Sequence, residues 1–262
     1  MTVSRAAHWL MIALLFAFLL APVVMVVPMS FSADRFLIWP PSGYSLRWYV
    51  AMLADAGLAR AARNSLLLGV MVMLAALGLG TPAAVALARW RFRGREALLA
   101  LLTAPLLLPS IVLALALLIL FVGHGLVGSW MGLMLAHLLV TLPYAVRVLL
   151  TALSTLPVGV EEAAASLGAA PLAVFRRVTL PLLAPGMIAT CAIVFLVSFD
   201  EVVISLFVVG PNLTTLPVAM FRYVESRTDP MVAAVSSLLV LLTFAVVLIL
   251  ERAMGLARAV GR

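Results

Sequence analysis

From Trp9 to Pro28 the chain carries no charged side chain, and five further stretches are apolar over most of their length: Ser65–Ala88, Leu98–Val122, Trp130–Val146, Leu182–Val209 and Met231–Leu250. About twenty apolar residues in a helix span the hydrocarbon core of a bilayer. In that core no water satisfies backbone N–H and C=O groups, so a spanning segment of this kind must bond within itself. Composition agrees: 66% of residues are hydrophobic and 10% charged, against about 45–50% and about 25% in soluble domains. The fold class predicted is all-α membrane, with six transmembrane helices and no soluble module. Trp9–Pro28 also invites reading as a cleavable leader, with a weak small-x-small site at Ser30 and Ser32. Its apolar run exceeds the ~7–15 residues of a leader, so it is read as the first span. Leu182–Val209 is long for one span, which predicts a tilt or a break.

The polar punctuation between spans predicts the topology. All seventeen basic residues are arginine. With six spans and an internal N-terminus, eleven of them fall inside: Arg5, Arg89, Arg91, Arg93, Arg95, Arg147, Arg176, Arg177, Arg252, Arg258 and Arg262. Cytoplasmic loops carry such an excess. Both termini are therefore expected in the cytoplasm. Residues 1–64 would hold the first helix and an external segment, 65–250 the transmembrane core, and 251–262 a cytoplasmic tail. Within the external segment, Ser45–Leu53 suits a short interfacial helix with Trp48 and Tyr49 at headgroup depth. Pro82 marks a kink; Pro105 and Pro109 mark the third span either as the lining of a pathway, where water satisfies the freed carbonyls, or as a kinked helix only. The positive charge tracks the loops, which argues for topology over nucleic-acid binding. Cys191 stands alone in an apolar run, so no disulfide forms within the chain.

The polar segment between the fourth and fifth apolar runs is different in kind. Glu161 and Glu162 open a helix, where acids favour the positive end of its dipole. Ala163 and Ala164 follow, then Gly168, which can take a left-handed conformation and turn the chain. Pro171 fits the first turn of a second helix. On that helix Leu172, Phe175 and Val178 share a face, and Leu180-Pro181 is expected to end it.

Glu162-Ala163-Ala164, Gly168 six residues after the glutamate, Val178 ten after the glycine, and Leu180-Pro181 together resemble the EAA loop of permease subunits in bacterial ABC importers that depend on a binding protein. The resemblance runs nearly the full length and is most specific over Ser65–Leu250. It implies the type I ABC importer permease fold and an inner-membrane location. It also implies a coupling loop, residues 157–181, docked on an ATPase through Glu162, Ala163, Ala164, Gly168, Ala169, Leu172, Phe175, Leu180 and Pro181. The implied partners are an ATPase dimer, an extracytoplasmic solute-binding protein and a second permease, a heterodimer being favoured. Ser198–Phe207, Gly210–Pro217 and the run from Phe36 to Tyr49 are similar to the spermidine/putrescine-type branch. That branch implies a polyamine or similar cation, with iron or an organic anion as the alternative solute.

Chemistry on this chain itself is limited. Without lysine it has no phosphate-binding loop of the G-x-x-x-x-G-K-[ST] type, so ATP and magnesium belong to a partner chain. No nucleophilic triad or metal-ligand spacing stands out, and neither an enzyme nor a cofactor on this chain is expected. An ATP-independent secondary transporter is the less favoured reading, since no internal repeat is evident. Asp200 and Glu201, in the fifth span, are the candidate substrate-path residues. Carboxylates in a membrane must face water or a partner, and they suit protonated amines. The other reading is that the helix ends near Phe199 and leaves both acids in a wet interface. His137, in the fourth span, is read as a packed hydrogen-bonding residue.

Overall fold

The computed structural model describes residues 5–260, nearly all in helices, and no strand forms among them beyond an isolated Ser32–Tyr44 bridge. The chain divides into two units, one of residues 5–60 with 220–245 and the other of residues 61–219 with 246–260.

The first unit begins with α1 (Arg5–Ser30). None of its most apolar window is buried by the chain itself, so its side chains are left for lipid or a partner. Asp34 organises the segment after it. Its carboxylate accepts from the Ser42 hydroxyl and N–H and from Ser32. These bonds, those to Ser42 first, hold the Asp34 carboxyl below its ordinary range. Helix α2 (Arg47–Ala54) forms where the short helix is expected. Trp48 donates its indole N–H to the Asp34 carbonyl, and Arg47 lies over the Trp48 ring. Near the far end of this unit, Tyr223 donates to Asp229 and Arg227 covers the Tyr223 ring.

Helix α3 (Ala56–Arg89) starts earlier than the apolar run predicts. Asp55 accepts the N–H groups of Gly57 and Leu58 at 2.8 and 2.9 Å, a helix-start cap. Arg60 and Arg63 therefore ride on its first turns rather than in a loop. The third span is not one straight helix. Helix α4 (Arg95–Thr103), a 3-10 turn (Ala104–Leu107) and α5 (Ser110–Gly123) form a pair bent by 104°. Leu108 is extended, as the residue before a proline prefers, and Pro109 has no N–H with which to continue the helix.

Helix α6 (Trp130–Ser154) is capped by Ser129 and runs two turns past Val146. This corrects the placing of Arg147, which sits on the helix instead of leading out of it. Then come α7 (Val158–Ser166), α8 (Pro171–Val174), a π-helical turn (Phe175–Thr179) and α9 (Leu180–Phe199). Leu180-Pro181 does not end this element. The Leu180 N–H bonds the Phe175 carbonyl five residues back, and the widened turn feeds into Pro181 near the start of α9, where a missing N–H is tolerated. The expected break in the fifth span is real and falls at 200–202, before α10 (Val203–Val208). Helix α11 (Leu216–Ser226) lies between the fifth and sixth apolar runs. Helix α12 (Met231–Val260) continues through residues assigned to a tail; Arg262 lies outside the described residues.

Among the described residues four helices are long and apolar enough to cross a membrane, the bent pair makes a fifth, and the apolar part of α12 (Met231–Ala245) stands where the sixth is expected. Helix α6 is central to the second unit. Its Leu133, Ala136 and Ala145 join Leu68 and Val72 of α3, Phe121 of α5, Val194 of α9 and Ile204 of α10 in one core. A smaller cluster unites Ala84, Leu149, Leu153 and Leu183. At Gly186 a Cβ would collide with Ala152, so α6 and α9 touch where only glycine fits.

Candidate functional site

The polar segment after α6 folds as helix, glycine turn, helix. Helix α7 ends in a cap where Ala169 N–H reaches the Ala164 carbonyl at 3.2 Å and Gly168 N–H reaches that of Ala165 at 2.9 Å. Gly168 has φ +86°, the left-handed geometry this cap requires. Among the described residues, its two chain neighbours apart, no heavy atom lies within 4 Å of a Cβ built there, so the constraint is backbone strain and not crowding. Pro171 begins α8 after an extended Ala170.

The two carboxylates part company. Glu161 turns inward, with 17% of its side chain exposed, and its Oε2 lies 2.8 Å from Nε of Arg89. Its Oε1 accepts from Arg89 Nη2 at 3.2 Å and from the Thr179 hydroxyl at 2.8 Å. Arg89 Nη1 also donates to the Leu153 carbonyl at 3.4 Å. Glu162 faces out, as do Ala163, Gly168 and Leu172; Ala164, Ala169, Phe175 and Leu180 are half-buried and Pro181 is exposed. Leu167 is 90% exposed and Leu172 67%. Two apolar side chains thus stand in the open around the turn, beside a free carboxylate. Sequence reasoning passed over Arg89 and Thr179 as parts of this site. The only signal was that Arg89 is the first charge after a long apolar run.

The basic run after α3 is partly structural. Arg95 donates from Nε to the Leu87 carbonyl at 2.8 Å and pairs with Glu96, while Arg91 and Arg93 are exposed. Arg147 borders two cavities of about 510 and 420 Å³, one against Leu182 and Pro185 of α9, the other against Glu96 and Thr103 of α4.

Asp200 and Glu201 occupy the break between α9 and α10 and not a helix interior. The Glu201 Oε1 accepts the Ile204 N–H at 3.0 Å and so caps α10. Asp200 is exposed, and its carboxylate has no hydrogen bond or ion pair among the described residues. Behind the break His137, 1% exposed, bonds Ser198 Oγ through Nδ1 at 2.9 Å and Ser205 Oγ through Nε2 at 2.8 Å. One imidazole of α6 therefore ties down both sides of the break, which fits its reading as a packed hydrogen-bonding residue. Among the described residues no cluster of metal-ligating side chains occurs.

A family model described as "Binding-protein-dependent transport system inner membrane component" matches residues 76–255. The chain is 37% identical over 241 residues to the putrescine transport system permease protein PotI of Escherichia coli (strain K12), covering 88% of this chain and 85% of the relative. It is 33% identical over 235 residues to the spermidine/putrescine transport system permease protein PotC of the same organism, covering 89% and 88%. A solved bacterial ABC transporter involved in the import of the acidic polysaccharide alginate superposes with a TM-score of 0.74 at 15% identity, over 96% of this chain and 99% of that one.

Proposed function

Because the chain belongs to the binding-protein-dependent transport system inner membrane component family, we propose that it passes a protonated polyamine across the membrane as one of two permeases. It is a transport permease of an ABC importer and not an enzyme. The observation that carries the solute class is the Asp200 carboxylate, exposed and unpaired at a break between two apolar helices. An anionic group there offers charge-assisted hydrogen bonds to ammonium groups and would repel an anionic solute. Similarity to PotI and PotC, whose names carry putrescine and spermidine, supports the same class.

Energy is supplied from another chain. The outward surface of the glycine turn (Glu162, Ala163, Ala164, Gly168, Ala169 and Leu172) is the docking face for an ATPase subunit dimer. Phe175, Leu180 and Pro181 form its root. Leu167 and Leu172 would fill apolar depressions on that partner, since exposed large apolar groups beside a polar rim suit a protein interface. The remaining partners are a second, different permease and an extracytoplasmic solute-binding protein, with both termini of this chain in the cytoplasm and ATP and magnesium on the ATPase. Uptake of labelled putrescine by proteoliposomes holding the whole importer tests the reading. Putrescine-dependent ATP hydrolysis with no response to an anionic competitor supports it. Transport of the anion alone would refute the solute class.

A further inference from the structure

We propose that Arg89, Glu161 and Thr179 form an internal brace that transmits movement of the coupling loop to the spanning helices, so that Glu161 is a positioning residue for transport. The proposal rests on the reading of 157–181 as the ATPase-docking loop.

The geometry points to transmission because of what the brace joins. Glu161 stands on α7, the docking helix. Arg89 is the last residue of α3, and Thr179 is the last residue of the π turn that feeds α9. The second arm of Arg89 reaches the Leu153 carbonyl near the end of α6. Four elements thus meet at one guanidinium and one carboxylate, each side chain less than one-fifth exposed. Beyond the junction the same three helices are in tight contact. A Cβ at Gly80 of α3 would lie 3.1 Å from Ala145 of α6, and Gly186 of α9 meets Ala152 of α6. A push on α7 therefore reaches helices that move as a packed group and not as separate rods. Without the brace, α7 would still pack against α8 and the π turn but would lose its side-chain link to α3, and docking would move the loop more than the spanning helices. Among the described residues the adjacent Glu162 carboxylate has no such partner, which leaves it to the ATPase and divides the paired acids into one inward and one outward role.

Both side chains keep some exposure, so neutralising one breaks the link without stranding a fully buried charge. The test uses the whole importer in proteoliposomes, driven by putrescine-loaded binding protein. Glu161→Gln and Arg89→Gln should keep wild-type membrane abundance and wild-type co-purification of the ATPase. Both should lower binding-protein-stimulated ATP hydrolysis and uptake by about tenfold, the effect of losing one hydrogen bond to a charged group. The exchanged pair Arg89→Glu with Glu161→Arg should regain much of the coupling. Thr179→Ser, which keeps the hydroxyl, should couple normally, and Thr179→Val should fall between. Full stimulation in Glu161→Gln would overturn the brace. So would a loss explained wholly by lower abundance, with the remaining complexes fully coupled. A wild-type complex that binds no ATPase would instead sink the docking-loop reading and the brace with it, and that outcome is visible before any variant is made.

Discussion

Asp200 and Glu201 are neighbours with different assignments. Glu201 is committed to the Ile204 N–H, whereas Asp200 has no partner among the described residues. Asp200→Asn keeps the shape and removes the charge, so putrescine uptake should fall by about tenfold, since charge-assisted bonds are roughly twice as strong as neutral ones. Glu201→Gln should be milder, because an amide oxygen still accepts the N–H. Uptake in a strain lacking other polyamine importers measures both; equal, wild-type uptake in the two variants would remove the carboxylate argument. Gly168 is tested by Gly168→Val. Its left-handed φ imposes about 1–2 kcal/mol on any other residue, and the open space around it means the chain itself adds no clash. The variant should reach the membrane yet lose transport, as read by immunoblot and uptake together.

At the scale of elements, two polar networks hold irregular backbone in place. Among the described residues, His137 is the group that bonds both Ser198 and Ser205. Replacing it with leucine leaves two hydroxyls without their partner, a cost of about 1–3 kcal/mol for a buried polar group. His137→Leu should lower the melting temperature of the detergent-solubilised importer, and His137→Asn should lower it less. No change in melting would mean that the break holds without the imidazole. Outside the membrane, Asp34 fastens the 31–46 segment, and its folded pKa is lowered by Ser42. A depressed carboxyl contributes stability above its unfolded value, here about 3.8, and loses it as pH falls through the folded value. Protection of this segment's amides, measured against the intrinsic exchange rate at each pH, should therefore hold at neutral pH and fall below pH 3.8. Ser42→Ala should shift that onset to higher pH.

For the whole molecule, the arginine count predicts the sidedness of the loops. In a Cys191→Ala background, Pro41→Cys and Asn212→Cys should react with an impermeant thiol reagent from outside intact cells. Ala169→Cys should react only after the membrane is opened. Labelling of the Ala169 position in intact cells would invert the topology and separate the glycine turn from any cytoplasmic ATPase.

Membrane residence, the helical class and the glycine turn were legible in the sequence because each depends on local facts. An apolar run of spanning length must satisfy its own backbone, and Gly168 six residues after Glu162 marks a turn whatever surrounds it. The break in the fifth apolar run was also anticipated, from length alone. Its position just after Phe199 was one of two readings open in the sequence, and only the tertiary structure chose between them. Asp200 leaves the helix because Glu201 caps α10 and His137, far back in the chain, pins Ser198 and Ser205. Helix α6 outran its apolar stretch because core packing of Leu149 and Leu153 continues the helix past Arg147. Nor could spacing say which of two adjacent glutamates turns inward. Their local surroundings are nearly alike, and the choice is made by Arg89, 72 residues away, and Thr179, 18 residues on. Local backbone chemistry set the elements; long-range ion pairing, capping and packing decided where they break and which side chains remain free.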